Sequence, residues 1–236
     1  LDTNGTIEDS SGVSNGGMLT IASSKTIDSM TGTGGTTLGA NTLTIGDASN
    51  NSATYTGDIS GTGGITKLGT GKLTLGGVNN YTGPTTISAG TLSVVTIGNG
   101  GVAGNLGGAL KAAANLVIGN GTLEYTGATA STDRNFTLLA GTASTIDVTT
   151  GELTMSGASV LTTGSLTIAG NGTLTLDGIN LYTGATMIGI GSTLTLDTNG
   201  TIEDSSGVSN GGMLTIASSK TIDSMTGTGG TTLGAN

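Results

Sequence analysis

The chain of 236 residues has 9% charged residues, a net charge of −9, no cysteine, 46 glycines, one proline and 2% aromatic residues. Such an acidic chain has no basic stripe to neutralise phosphates, which excludes nucleic-acid binding, and no run of about 18 apolar residues that could span a membrane as a helix. Glycine without a triplet period excludes collagen, and plentiful Thr, Ile and Val argue for a folded chain rather than a disordered one.

Period-two alternation predicts short strands with one buried face. In chain order these are GMLTIAS at 17–23, NTLTIGD at 41–47, GKLTLGG at 71–77, GTLSVVT at 90–96 and GTLEYTG at 121–127. GELTMSG at 151–157, GSLTIAG at 164–170, GTLTLDG at 172–178 and STLTLDT at 192–198 complete the series. Each places two apolar side chains on one face with a small polar residue between them. Each is bounded by Gly, Asn, Asp or Ser, which tolerate tight turns. Asn-Gly pairs at Asn4-Gly5, Asn15-Gly16, Asn99-Gly100, Asn120-Gly121 and Asn171-Gly172 add turn signals. The Ala-rich stretch 102–118 is predicted as a loop or one helical turn, because Gly104, Gly107 and Gly108 oppose anything longer.

Leu1 to Asn41 recurs letter for letter as Leu196 to Asn236, an offset of 195 residues. The expected organisation is one full unit, 1–195, of a continuous β-solenoid, followed at 196–236 by the start of the next identical unit. A chain that begins and ends inside one unit reads as part of a longer array. Recurrence of one strand pattern, scarce aromatics and the lack of a linker favour a parallel β-helix over a sandwich or barrel. The expected partners are further copies of the unit stacked end to end, with lateral association of rods open.

A weaker sub-repeat lies inside the unit, where 63–92 aligns with 164–194 at an offset of 101 until one extra residue enters. Gly69/Gly170, Gly71/Gly172, Leu73/Leu174, Leu75/Leu176, Asn79/Asn180, Tyr81/Tyr182 and Gly83/Gly184 coincide. The stretch Gly61 to Leu92, with Gly61, Gly63, Ile65, Lys67, Thr85, Ile87, Gly90 and Leu92 also in register, resembles the autotransporter-associated β-strand repeat, or passenger-associated transport repeat, of Gram-negative surface proteins. The second stretch departs from the pattern at Ile168, where the family prefers Lys. The resemblance implies an all-β, right-handed parallel β-helix displayed outside the cell or on the outer-membrane surface, serving as a stalk, scaffold or adhesin. Gly69, Gly71, Leu73, Leu75, Asn79, Tyr81, Gly83, Ile87, Leu92, Leu174, Leu176, Asn180 and Tyr182 are then the expected core and turn residues.

Chemical constellations are weak. Glu8-Asp9, repeated as Glu203-Asp204, are adjacent and would point to opposite faces of a strand. Asp28, Asp47, Asp58, Asp147, Glu152 and Asp177 are scattered, and there is no His to act with them. The run Asp47 to Asn51 with Asp58 offers oxygen ligands for calcium, but at neither EF-hand nor β-roll spacing, and an Asx turn accounts for it better. Thr42-Leu43-Thr44, Thr173-Leu174-Thr175 and Thr193-Leu194-Thr195 could order water only at a fixed coil spacing, and their gaps are irregular. Gly61 to Gly64 and Gly98 to Gly101 read as turns rather than phosphate loops. Tyr81 and Tyr182 are expected to cap the coil edge or stack on a neighbouring copy, and Asp133-Arg134 to form a surface salt bridge or a loop lock. No catalytic, cofactor or metal residue is expected, calcium being the one candidate ion. The leading expectation is a structural fibre or stalk. An adhesin using the loop 102–114 is the alternative, and a polysaccharide-active enzyme the third reading.

Overall fold

The structure, a computed structural model, describes residues 12–46 and 51–234. The alternating segments form short strands, and every paired strand runs parallel to its neighbour. They build a 15-stranded sheet, a six-stranded sheet and a three-stranded sheet, the faces of one all-β solenoid. The main path of the large sheet stacks eleven strands, from Val13–Asn15 to Met225–Gly227. Among the described residues the single helical turn is a 3-10 turn at Ala113–Asn115, inside the stretch whose glycines oppose a longer helix.

Register turns sequence alternation into ladders. Leu73 and Leu75 of Lys72–Leu75 sit between Ala53 and Tyr55 below and Leu92 and Val94 above. The stack continues through Leu123 and Tyr125 to Ile146 and Val148. On another face Leu153, Leu174, Leu194 and Leu214 stack in the same way, and all four are buried. Burying a Leu or Ile side chain contributes about 1.5–3 kcal/mol, so each coil is stabilised mainly by its two neighbours. The backbone N–H and C=O groups of the strands pair between coils, which leaves only the ends of the stack as open edges.

One ladder admits a charge. Ile27, Ile45, Lys67, Ile87, Ile118 and Leu138 occupy equivalent inward positions. Lys67 is buried, and its ammonium donates to the carbonyls of Leu68 and, at 2.9 Å, of Gly69. Burial pulls its pKa below the ordinary lysine value.

Coil length varies. Val13 pairs with Met30, 17 residues on, and Tyr55 with Leu75, 20 residues on. Val94 pairs with Tyr125, 31 residues on. The strand register passes through this longest coil unchanged, so its extra residues leave the stack as a loop.

Candidate functional site

The outgoing loop runs from 95 to 112, between the strand Thr85–Val94 and the 3-10 turn. A loop with four glycine-containing turns and one proline-free path would be mobile unless tied down. It is tied by one side chain. Arg134 follows the strand Ala130–Thr132 of the next coil and is only 2% exposed. Its guanidinium donates to four loop carbonyls: Nε to Gly98 at 2.9 Å, Nη1 to Ala109 at 3.1 Å, and Nη2 to Val102 at 3.3 Å and Gly107 at 2.7 Å. A planar fork of donors suits this task, and the single ammonium of lysine does not.

Neighbouring residues extend the lock. The Asp133 carboxylate accepts from the Gly100 amide at 2.7 Å, while the Asp133 amide donates to Asn99 Oδ1 at 3.0 Å. Thr132 Oγ1 donates to Gly98 O at 2.9 Å. From the preceding coil, buried Asn105 accepts from the amides of Val95 (3.0 Å) and Thr96 (2.8 Å) and donates to Gly77 O at 2.9 Å. Of the two sequence readings of Asp133-Arg134, the geometry is that of a loop lock, made through carbonyls rather than by a surface ion pair. Burial lowers the Arg134 pKa, and the negative potential of Tyr81 and Asp133 opposes that shift. The loop presents Val102 and Leu110, both exposed, at its outer side.

The same loop covers the first of the two sub-repeats. Tyr81 is fully buried and its hydroxyl meets Thr85 Oγ1 at 2.6 Å. Burial pushes this phenol up to about 12, against the pull of Thr85 and Arg134. Gly107, with φ +75°, lies flat on the Tyr81 ring, where a Cβ would come within 2.7 Å of ring carbons. Asn79 accepts from the Ile59 amide at 2.8 Å and donates to Asn105 O at 2.8 Å. In the second sub-repeat Tyr182 is equally buried and meets Thr186 at 2.8 Å, with its pKa likewise raised by burial. There the cover is the turn 202–206, whose Ser205 meets Thr186 at 3.0 Å. Asn180 donates to Gly178 O at 2.8 Å. Neither tyrosine sits at an exposed edge, and neither stacks on an outer copy.

The remaining named positions lie in the scaffold. Leu73, Leu75, Ile87, Leu92, Leu174 and Leu176 are core, Gly69 (φ +64°) turns a corner, and Gly71 and Gly83 lie at close coil contacts. A Cβ at Gly83 would stand 2.5 Å from the Gly63 backbone of the coil below.

Carboxylates act as acceptors between coils. Asp28 accepts from Asn51 at 2.6 Å, Asp58 from the Val78 amide at 2.8 Å, Asp177 from the Asn199 amide at 3.1 Å and Glu152 from Thr175 at 2.6 Å. Glu203 and Asp204 are adjacent and exposed. The Glu8-Asp9 pair, Asn4-Gly5 and residues 47–50 of the calcium candidate lie outside the described residues. Among the described residues no three of His, Cys, Asp and Glu converge as metal ligands.

Charge gathers at one place on the outer surface. Lys72 Nζ bridges both oxygens of Glu124, at 2.7 and 2.8 Å, and Glu124 faces Asp147 across paired strands. Burial raises the Glu124 carboxyl, but the hydrogen bonds from Lys72 and Ser93 and the Lys72 charge outweigh it and hold the group below its ordinary value. Asp147 moves the other way, raised by burial and by Glu124. A shallow hollow of about 290 Å³ beside Lys72 is lined by Thr31, Ser52, Ala53, Thr54 and Thr74 and holds no nucleophile with a base. The Thr-x-Thr spacing looked irregular, yet register stacks Thr173-Leu174-Thr175 directly on Thr193-Leu194-Thr195. The pattern stops there, because the next coil places Met213 beside Thr193 and Thr42-Leu43-Thr44 belongs to another sheet.

Comparison with known proteins matches this geometry. Residues 65–94 and 166–196 match the passenger-associated-transport-repeat family. Over 166 residues, 69% of this chain, the sequence is 43% identical to "Adhesin BmaC autotransporter" of Brucella suis biovar 1 (strain 1330). The chain spans 5% of the length of that relative. No solved structure matches it. Two passenger-associated transport repeats, set in a parallel β-solenoid and joined to an autotransporter relative, make this chain an autotransporter-associated repeat protein of the Gram-negative outer surface.

Proposed function

We propose that the chain is a non-catalytic, stiff segment of a bacterial surface protein, a stalk that holds other parts of that protein away from the membrane. The observation that carries this reading is the unbroken parallel register of eleven strands, with cores shared between every pair of coils. At about 4.8 Å per coil the stack is about 50 Å long. Bending it would require breaking backbone pairs on more than one face at once. The use of Asp28, Asp58, Asp133, Glu152 and Asp177 as acceptors between coils supports a non-catalytic role. Cryo-electron microscopy of the intact surface protein tests the stalk: straight rods of uniform width are expected, and flexible strings of separate particles would overturn it.

The second reading is adhesive, and one feature favours it. The loop 95–112 is ordered by a buried guanidinium, at a cost that a spacer does not need, and it displays Val102 and Leu110. The relative's name also contains the word adhesin. Replacing 99–108 by two glycines should abolish binding to host cells or glycans if this reading holds. Unchanged binding by a variant that melts like the parent would leave the stalk alone.

A further inference from the structure

The repeated segment gives one sequence in two environments. At the beginning of the stack Met30 and Leu38 are both 0% exposed. Their identical counterparts at the other end, Met225 and Leu233, are 52% and 71% exposed. The difference is one layer of chain. Ala53–Tyr55 lies along Met30–Gly32, Ile59–Ser60 along Gly35–Thr37, and Leu43–Ile45 along Lys25–Ile27.

That layer is fastened by a tyrosine socket. The fully buried Tyr55 brings its hydroxyl to Thr36 Oγ1 at 2.8 Å and to Asn15 Nδ2 at 3.2 Å, and donates to Gly34 O. The Thr36 and Leu38 amides donate to Asp58 O and Ser60 O, both at 2.8 Å, and the Thr56 amide donates to Gly32 O at 3.0 Å.

At the far end the same socket is already shaped. Asn210 accepts from the Gly212 amide at 3.1 Å, as Asn15 does from Gly17 at 3.1 Å. It donates to Gly230 O at 2.8 Å, where Asn15 donates to Gly35 O at 3.0 Å. The Gly229 amide donates to Asn210 O at 2.9 Å, matching Gly34 to Asn15. Only the tyrosine differs: Thr231 Oγ1 turns to Met225 Sδ at 3.9 Å instead.

We propose that the edge formed by Met225–Gly227 and Gly230–Leu233 is a docking surface for residues 42–60 of a further copy of the unit, with the tyrosine of that copy seated between Asn210, Thr231 and Gly229. Strand addition supplies the backbone pairs, and the socket supplies register and selectivity. The proposal is independent of whether the rod is a stalk or an adhesin.

The test uses a fluorescein-labelled peptide with the sequence of residues 42–60, titrated onto the 236-residue chain and followed by anisotropy and amide hydrogen exchange. Saturable binding that slows exchange at Thr231 and Leu233 is expected. The Tyr55→Phe peptide should bind about five- to tenfold more weakly, and Thr231→Val in the protein should cause the same loss. Because a free peptide must also be ordered, the chain extended after Asn236 by residues 42–60 is measured beside it, with and without the same tyrosine change. Tyrosine-dependent protection of Thr231 and Leu233 in either form supports the proposal. Protection in neither, or protection that ignores the tyrosine, overturns it.

Discussion

The two transport repeats carry nearly the same residues at an offset of 101, yet the fold finishes them differently. In the first, Ile65 and Lys67 stack on Thr85 and Ile87, and Leu73 and Leu75 on Leu92 and Val94, all along one ten-residue strand, Thr85–Val94. In the second, Leu166 and Ile168 stack on Thr186 and Ile188, and Leu174 and Leu176 on Leu194 and Leu196. The core registers are equivalent, but the partner is split into two strands, Thr186–Ile188 and Thr193–Leu196, in different sheets. One extra residue accounts for the split. A one-residue change would invert every later side chain if the strand continued, so the chain breaks at 189–192 and throws out Ile190, which is 92% exposed. The signature residues therefore fix the inward ladders, while connections and covers are free to vary.

Aspartate substitutions at Leu73 and at Leu174 are the hardest way to break this equivalence. Each puts an unpaired charge into a shared ladder, and each should cost at least about 4 kcal/mol, read by thermal melting with circular dichroism. A severe loss at one site and a mild one at the other would show that the repeats are not equivalent cores.

Arg134→Met separates the repeats instead. Four loop carbonyls lose their donor, and a cost on the order of 3 kcal/mol is expected. Limited proteolysis should then cut within 95–112, while hydrogen exchange around Tyr182 stays slow.

Tyr81→Phe and Tyr182→Phe should each cost about 1 kcal/mol, because Thr85 and Thr186 lose a buried partner. Matching losses in chemical denaturation would show that the two covers, loop and turn, are equivalent.

Lys67→Ile makes the first repeat resemble the second at Ile168. Burial lowers the Lys67 pKa, so its full contribution to stability is present above 10.5 and is lost as pH falls through the depressed value. The variant should be more stable by about 1 kcal/mol at neutral pH, with the gain shrinking as pH rises towards 10.5. Denaturant midpoints across that range check it.

The smallest effect is at Asp147, whose pKa burial and Glu124 raise above the ordinary 3.8. Its contribution is complete in acid and lost as pH rises through the raised value. Asp147→Asn should therefore stabilise the fold by roughly a few tenths of a kcal/mol at neutral pH and by nothing near pH 3, since the site is partly open to solvent. Paired melts at the two pH values would show it.

The ladders could be read in advance because Leu73, Leu75, Leu174 and Leu176 obey period two between glycine turns. Strands with polar residues pointing inward were harder. Lys25–Ile27, Thr85–Ile87 and Thr186–Ile188 bury Lys or Thr at inward positions, and the alternation of hydrophobicity fails there. The loop lock was visible only as a pair, Asp133-Arg134. The partners of Arg134 are backbone carbonyls 25 to 36 residues away, and carbonyls leave no mark in a sequence. Asn105 went unnoticed for the same reason. The cover of each tyrosine depends on coil length, which the repeat pattern does not encode.

Disulfide mapping tests the shared register most directly, since the chain has no cysteine of its own. Thr66 pairs with Thr86 in the first repeat, and Thr167 with Met187 in the second, at the same offset of 101. Cysteines placed at 66 and 86, or at 167 and 187, should oxidise to an internal disulfide with comparable yield, while 66 with 187 should stay reduced. Closure of the mixed pair, or of only one matched pair, would contradict a single solenoid with equivalent coils.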